Sequence, residues 1–452
     1  MFGTVLIANR GEIALRVART CRELGIRTVA VYSTADRDSA VVRFADESVH
    51  IGPPPSRGSY LHIPAVIEAA KRTGAEAIHP GYGFLSENPD FAEVCEDEGI
   101  VFIGPPAAVM QKLGDKAVAR SMMVQAGLPL LPGSTEAIDT VTEAQALADS
   151  IGYPVIIKAA AGGGGRGMRI VRDAADFARA YRDTRLDAQA VFGDGRVYVE
   201  RYLESARHVE IQVLADRYRN AVHLGARDCS VQRRHQKLVE ESPPPGLPDS
   251  LVAEMGAAAV RATVAAGYVG AGTFEFLVDT ENRYYFMEVN CRLQVEHPVT
   301  EMVTRLDLVA EQLRVAAGQP LGYGQEDVAC AGHSIECRIN AEDPARGFAP
   351  APATVRSFVA PGGPFVRVDT HLFDGYRIPS AYDSLLAKVV VWGPDRAVAL
   401  ARMRAALTEL RVDGPGAATT AEFLHSVMDN PVFREGKHDT SLVGDMLFGG
   451  SR

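Results

Sequence analysis

In the stretch GTFEFLVDTENRYYFMEVNCR, residues 273–278 alternate so that Phe274, Phe276 and Val278 share one strand face while Thr273, Glu275 and Leu277 point from the other. In the run that follows, Glu288 and Asn290 share a face with Tyr284 and Phe286. A turn at 280–283 sets Glu275 opposite Glu288, with β-carbons about 5 Å apart. Two facing carboxylates repel, and a cation between them relieves the repulsion. Oxygen-only ligands from Glu275, Glu288 and Asn290 select Mg²⁺ or Mn²⁺ over zinc; a solvated acid pair on an edge hairpin is the competing account. Just beyond, in NCRLQVEHPVTE, Arg292, Gln294 and Glu296 fall two apart. A guanidinium fork matches a small planar oxyanion such as bicarbonate, and a neighbouring carboxylate can take that anion's proton. A loop salt bridge accounts for the same residues without any ligand.

Residues 151–171, IGYPVIIKAAAGGGGRGMRIV, read as two apolar strands joined by a polar, glycine-rich tip, with Lys158 at the end of the first strand. Glycines such as Gly163, Gly164 and Gly165 let backbone N–H groups close on phosphate oxygens while lysine offsets the charge; a plain surface hairpin is the alternative. The Walker pattern G-x-x-x-x-G-K-[ST] is absent. Two further strings are unusually polar: DCSVQRRHQKLVEESP, with Gln232, His235 and Lys237, and HSIECRIN, where Arg338 alternates with Ile335, Cys337 and Ile339 and so lies on the polar face of a strand. Each alone is unspecific. The sequence has seven lysines, at 71, 112, 116, 158, 237, 388 and 437, among 47 basic residues. Such scarcity fits lysine being kept where a compact ammonium is needed, and coding bias fits equally.

These groups need elements to position them. Residues 4–8 and 28–32 are short β-branched runs separated by an apolar-periodic helix that ends at Gly25, a pattern that predicts a parallel open sheet. The turn ANRGEIA lacks the G-x-G-x-x-G of a dinucleotide site, and Gly11 is explained by a sharp turn. The loop IHPGYGFLSEN falls where a strand ends, the usual place for a site in such a sheet. From about 114 to 330 helices mix with alternating strands, and beyond 331 the chain is strand-rich, with a helix over 395–410. We therefore divide the sequence into 1–113, 114–330 and 331–452. With 452 residues, 47% of them apolar, it can bury a large core, and its formal charge of −10 disfavours nucleic acid or an anionic membrane as principal partner. Six cysteines without CxxC spacing fit a reducing cytoplasm, and neither a signal peptide nor a membrane-spanning run is expected.

Taken in order, ANRGEIA, IHPGYGFLSEN, LGDK, IIKAAAGGGGRGM, RHVEIQ, RDCSVQRRHQK, GAGTFEF, MEVNCRLQVEHPVTE and ECRINAEDP closely resemble the biotin carboxylase family, over essentially the whole sequence. The resemblance implies the ATP-grasp fold (α/β and α+β), with an N-terminal Rossmann-like parallel sheet domain, a mobile lid at about 131–203 and a C-terminal mixed α/β domain. It implies that Lys116, Lys158 and Gly163–Gly165 bind nucleotide phosphates, and that Glu200, Leu203, His208, Gln232 and His235 line the nucleotide pocket. Glu275 and Glu288, with Asn290, would hold Mg²⁺ or Mn²⁺. Lys237, Arg292, Gln294 and the Val295 backbone would hold bicarbonate, with Glu296 as its base. Arg338, with Tyr82, would bind biotin. ATP and bicarbonate would then carboxylate biotin by way of carboxyphosphate, as the first half-reaction of an acyl-CoA carboxylase, acetyl-CoA being the expected acceptor.

No lysine sits in an A-M-K-M-like context, so biotin is expected to arrive on a separate biotin carboxyl carrier protein, with carboxyltransferase subunits as further partners. The resemblance also implies a homodimer, with Arg19 and Glu23 at interface positions and Pro364 as a departure. Three other departures stand out: Ala161 in the glycine run, Arg201 where lysine is usual, and Cys291 where threonine is usual. Cys291 beside Asn290 predicts activity sensitive to thiol oxidation or alkylation. The rival readings are another ATP-grasp ligase, such as a carbamoyl-phosphate synthetase-like enzyme, and a noncatalytic nucleotide-binding protein.

Overall fold

The computed structural model describes residues 1–134, 136–160 and 167–449, apart from the side chains of residues 116 and 117. Its first sheet contains Thr4–Ile7 (β1), Arg27–Ser33 (β2), Glu47–Gly52 (β3), Ala77–His79 (β4) and Val101–Phe102 (β5), all parallel, in the order β3-β2-β1-β4-β5. β1 reads as an unbroken apolar run because both faces of a parallel sheet are covered. Val5 and Ile7 enter one core cluster and Leu6 enters the other. The expected helix spans Gly11–Glu23 and closes with Gly25 at φ 69°. At the carboxyl end of the sheet, Asn9 Nδ2 donates to the carbonyls of Pro80 and Tyr82 at 2.7 and 2.8 Å, stitching ANRGEIA to HPGYG. Gly81 is required there: its φ is 63°, and a Cβ would meet Asn9 Nδ2 at 2.9 Å.

A three-stranded sheet follows, with Val155–Ala159 (β6) between Met168–Val171 (β7) and Val197–Arg201 (β8). β6 and β7 are antiparallel, as the hairpin reading of 151–171 requires. This sheet carries its own core of Val155, Ile157, Val197 and Val199 packed on Phe177 and Tyr181 of the helix Ala174–Phe192.

The third and largest sheet is built from Arg207–Ala215 (β9), Ala221–Arg233 (β10), Gln236–Ser242 (β11), Gly270–Val278 (β12), Tyr284–Asn290 (β13) and His333–Asn340 (β14). Beyond the short strands Glu342–Asp343 (β15), Ala349–Pro350 (β16) and Ser357–Val359 (β17), Val366–Thr370 (β18) and Leu385–Gly393 (β19) complete it. The order is β13-β12-β9-β10-β11-β14-β19-β18, so one sheet runs through residues on both sides of 330/331. The helix expected over 395–410 spans Arg396–Glu409 and packs on β19.

Two local features place side chains at the site. The β12–β13 ladder pairs Glu275 with Glu288, as expected, but by a different route. Val278 pairs with Tyr284 and Phe276 with Phe286, a register that would set Met287 opposite Glu275; a bulge between Phe276 and Glu275 brings Glu288 there instead. The bulge also corrects the expected faces. Phe286 and Val289, three apart, both enter the core with Phe274 and Phe276, so Asn290 lies on Glu275's side of the hairpin and does not share a face with Phe286. Between β10 and β11 the two-residue turn is Arg234-His235, both left-handed at φ 49° and 66°. Asn-Gly is the ordinary choice for such a turn. Holding two bulky residues there costs on the order of 1–3 kcal/mol each, a form of strain that gathers near functional sites.

Candidate active site

The site lies on the polar face of the large sheet. On β9, Val209, Ile211 and Val213 enter the core, so alternation turns His208, Glu210 and Gln212 to the other face. Glu210 and Arg227 have no exposed surface and pair at 3.1 Å; the guanidinium also donates to Gln212, Thr273 and Thr300 at 2.7, 3.1 and 3.0 Å. A buried charge with nearly all its donors engaged is tolerable.

Lys237, at the start of β11, is the hub. Its Nζ contacts Glu210 and lies 3.2 Å from Glu275 Oε1 and 2.7 Å from Glu296 Oε1. Burial disfavours the ammonium, but these three acids hold its pKa well above the ordinary value. His208 Nε2 lies 3.1 Å from Glu275 and 3.3 Å from Glu210, and against burial Glu275 pushes its pKa up to about 9. His208 therefore acts as a cation at neutral pH. Glu296, at the head of the helix His297–Thr304, is fully buried and clamped from both sides. Lys237 holds Oε1 and Arg338 Nη2 holds Oε2 at 2.8 Å. Burial would raise its pKa, yet Lys237 and Arg338 keep it below the ordinary carboxylate value, so it is an ionised base.

Beside this clamp, Arg292 donates to Glu87 at 2.8 Å, to Gln294 Oε1 at 2.9 Å and to Asn290 Oδ1 at 3.1 Å. Asn290 and Gln294 in turn donate to Glu275 Oε1 at 2.8 and 3.3 Å. Val295 is fixed from below: Lys388 Nζ, with no exposed surface, donates to its carbonyl at 2.9 Å and pairs with Glu12 at 3.0 Å. Tyr82 donates its hydroxyl to Glu12, and its ring stands over Lys388 with the ammonium 5.9 Å from the centroid. On the small sheet, Lys158 Nζ reaches Glu200 at 2.6 Å, and Arg120 engages the same carboxylate. Burial opposes ionisation of Glu200, but Lys158 and Arg120 keep its pKa low. Partial desolvation, with the charges of His208 and Lys158, holds the His235 pKa below its ordinary value. Gln232 pairs with Lys237 across the β10–β11 turn, and Leu203 is half-buried just past β8. Gly163, Gly164, Gly165 and Ala161, with the Lys116 side chain, lie outside the described residues.

The oxygen set of Glu275, exposed Glu288 opposite it and Asn290 fits a hard divalent cation. Asn290 presents its amide nitrogen to Glu275 and its oxygen to Arg292, so joining such an ion requires its amide to turn. A tighter group, with donor atoms of His208, Glu210 and Glu275 all within 4.8 Å, mixes an imidazole with two carboxylates and so suits a hard, oxygen-seeking cation less well.

Comparison with known proteins identifies the family. Residues 1–110 match the biotin carboxylase N-terminal domain, 115–323 the carbamoyl-phosphate synthase L chain ATP binding domain, and 336–445 the biotin carboxylase C-terminal domain. A biotin carboxylase from Nostoc sp. is 53% identical over 445 residues, covering 98% of this chain and 99% of that protein. The chain belongs to the biotin carboxylase family. It is an enzyme, an ATP-dependent ligase with the ATP-grasp fold. A pyruvate carboxylase subunit from Methanothermobacter thermautotrophicus is 50% identical, over 98% of this chain and 90% of that protein. The solved biotin carboxylase domain dimer of Hydrogenobacter thermophilus 2-oxoglutarate carboxylase, with MgADP, ADP and bicarbonate, superimposes with a TM-score of 0.95 at 47% identity, covering 100% of both chains.

The expectation for Cys291 is corrected. Its side chain is buried, and burial with the Glu87 charge pushes the thiol far above its ordinary pKa, so it is no reactive thiolate. Arg201 is exposed and, among the described residues, reaches only the Ile151 carbonyl, at 3.4 Å. Sequence reading also passed over Glu87, Glu210, Arg227 and Glu240. The alternation of RHVEIQ was signal enough for Glu210, which stands between His208 and Gln212 on one face.

Proposed function

We propose that this biotin carboxylase carries out the first half-reaction of an acyl-CoA carboxylase, with acetyl-CoA as the final acceptor and biotin presented on a separate carrier protein. The observation that carries the site assignment is the clamp on Glu296, a buried anionic base held between the cations Lys237 and Arg338. Bicarbonate would bind against Lys237, Arg292, Gln294 and the Val295 backbone, exchanging for the carboxylates that engage those cations. Glu296 then takes the bicarbonate proton, and the freed oxygen attacks the γ-phosphorus of ATP to give carboxyphosphate and ADP. Lys158 and Lys116, with Gly163–Gly165, would neutralise and cradle the phosphates, while Glu200, Leu203, His208, Gln232 and His235 border the nucleotide. Glu275, Glu288 and Asn290 would hold Mg²⁺ or Mn²⁺, which when bound supplies charge neutralisation at the phosphates. Carboxyphosphate releases CO₂ and phosphate; phosphate removes the N1′ proton of biotin, and Arg338 stabilises the resulting anionic ureido oxygen, with Tyr82 nearby. Closure of a lid over about 131–203 would keep water from the intermediate.

None of the seven lysines lies in a biotinylation-like context, so the biotinyl lysine belongs to another sequence region or chain. That relatives named for pyruvate and 2-oxoglutarate share this architecture supports an acceptor chosen outside the biotin carboxylase unit. We further propose the divisions 1–113, 114–330 and 331–452, a homodimer through the surface bearing exposed Arg19 and Glu23, and a cytoplasmic location, which six free cysteines suit. No helix among the described residues is long and apolar enough to cross a membrane. Labelled bicarbonate supplied with MgATP and free biotin should yield acid-labile labelled carboxybiotin. Arg338→Ala should still bind nucleotide but form none; carboxybiotin from that variant, or none from the folded wild type, overturns the assignment.

A further inference from the structure

The site contains two buried acids that the proposed reaction does not use. Glu240 on β11 stands directly opposite Glu336 on β14, and neither has exposed surface. Facing residues of an antiparallel ladder have β-carbons about 4.5–5.5 Å apart. Glu240 is engaged, accepting from Arg338 Nε at 2.6 Å. Its Oε2 and both oxygens of Glu336 are buried without a hydrogen-bond partner among the described residues, and Glu336 makes no ion pair there. The charged and titratable groups that face the pair are Arg338 on β14, Lys388 on β19, Lys237 and Glu296 toward the site, and the Cys229 thiol, while the Cys337 thiol turns to the opposite, apolar face of β14.

Each cation is already committed. Arg338 divides itself between Glu240 and Glu296, Lys237 serves Glu210, Glu275 and Glu296, and Lys388 holds Glu12 and the Val295 carbonyl. An ionised carboxylate buried beside another, with neither cation nor donor, is strongly unfavourable and is relieved by keeping a proton. A proton kept by Glu336 also makes it a hydrogen-bond donor on the face it shares with Glu240. In agreement, burial raises both acids, against Arg338 for Glu240, which reaches about 7, and against Lys388 for Glu336, which lies well above the carboxylate range.

We propose that Glu240 and Glu336 form a single monoanionic pair, with Glu336 a neutral acid at working pH, and that this pair positions Arg338 for biotin. The proposal rests on the assignment of Arg338 to the ureido oxygen. With Glu336 neutral, Arg338 meets one anion from below and retains enough positive character to bind a developing oxyanion. A second ionised carboxylate there would draw the guanidinium down and cancel its charge.

The test uses the full-length enzyme with free biotin. Glu240→Gln should lower kcat/KM for biotin about 10- to 100-fold, the size expected for a lost charge-assisted hydrogen bond. Biotin-free, bicarbonate-dependent ATP cleavage should stay within about threefold of wild type, because only an interaction with Arg338 is removed. Glu336→Gln, a mimic of the neutral acid, should keep both activities within about threefold. Infrared difference spectra at about pH 8 should show a protonated carboxyl C=O band, shifted in D₂O, in wild type and not in Glu336→Gln. If Glu240→Gln fails to fold, Glu240→Asp, which keeps the charge and shortens the reach, should show the same selective loss of biotin turnover to a smaller extent. Absence of the band in wild type, equal impairment by Glu336→Gln and Glu240→Gln, or loss of both activities together in the Glu240 variant overturns the proposal. Biotin-dependent turnover surviving in Arg338→Ala would instead sink the underlying assignment while leaving the infrared band in place.

Discussion

Lys388 offers a direct test of how the site is braced. It interrupts the apolar run LLAKVVVW, has no exposed surface, and joins Glu12 from the first sheet domain to the Val295 carbonyl of the anion loop at 3.0 and 2.9 Å. Lys388→Met keeps the chain length and apolar stem but removes the charge. Glu12 is itself buried, keeps the Tyr82 hydroxyl and loses its cation. Breaking a buried pair from one side costs about 3–5 kcal/mol. Glu12 can limit that cost by taking a proton, which for a carboxyl of ordinary pKa at neutral pH costs up to about 4 kcal/mol. A loss of about 3–4 kcal/mol is thus expected in denaturant or calorimetric unfolding. Glu12→Gln combined with Lys388→Met should recover more than half of it, because no unpaired acid remains. The Val295 carbonyl belongs to the peptide that leads into Glu296, so bicarbonate-dependent ATP cleavage should fall about tenfold or more, the value of one hydrogen bond to a charged group. Nucleotide affinity, measured by calorimetry with ADP, should be unchanged. Wild-type unfolding of Lys388→Met, or no recovery in the double variant, refutes the reasoning.

Glu296→Gln keeps the shape of the clamp but cannot accept a proton, and bicarbonate-dependent ATP cleavage should drop about 10²- to 10⁴-fold with ADP binding preserved. Glu241 is fully buried, and although burial opposes its ionisation, His333 and Arg396, each at 2.7 Å, bring its pKa to about 2. Its stabilisation, about 3 kcal/mol, is therefore present above the unfolded carboxyl range near pH 4.5 and is lost as pH falls through about 2. Glu241→Gln should lower Tm at pH 7 and flatten the acid dependence in scanning calorimetry. Iodoacetamide should label exposed Cys330 and spare Cys291, with turnover unchanged; Cys291 modified in the folded enzyme, as read by mass spectrometry, would contradict its burial.

Where the chemistry depended on local periodicity, the sequence was readable. The parallel sheet followed from β1, the helix Gly11–Glu23 and β2, and the facing of Glu275 and Glu288 from strand alternation. The route to that facing was not readable, because a bulge is a choice made by packing: Phe286 and Val289 must both reach the Phe274–Phe276 core, and no two-residue period announces it. Lysine scarcity pointed partly in the right direction. Lys158, Lys237 and Lys388 make buried or half-buried contacts at the site, whereas Lys71 and Lys437 are exposed on ordinary surface pairs. Glu87, and the role of Lys388, escaped notice for a different reason. Their partners Arg292, Glu12 and Val295 come from distant parts of the chain, and a long-range ion pair leaves no spacing to read.

The same long-range pairing explains how so many charges can be buried here. Every anion a substrate would bring has a stand-in: Glu210 and Glu296 occupy Lys237, Glu87 occupies Arg292, Glu240 and Glu296 occupy Arg338, and Glu200 occupies Lys158. The cations are thereby held at the site instead of swinging into solvent, so part of the ordering cost of binding is met during folding. Binding then becomes an exchange of partners rather than a desolvation of free charges, and the exchange has a direction. If bicarbonate takes over Lys237 as proposed, Glu296 loses a cation that had kept it ionised, and its affinity for a proton rises when that proton is offered. A base that strengthens on substrate binding can rest with a pKa held below the ordinary carboxylate value. An ionised Glu296, clamped between Lys237 and Arg338, is what this arrangement requires.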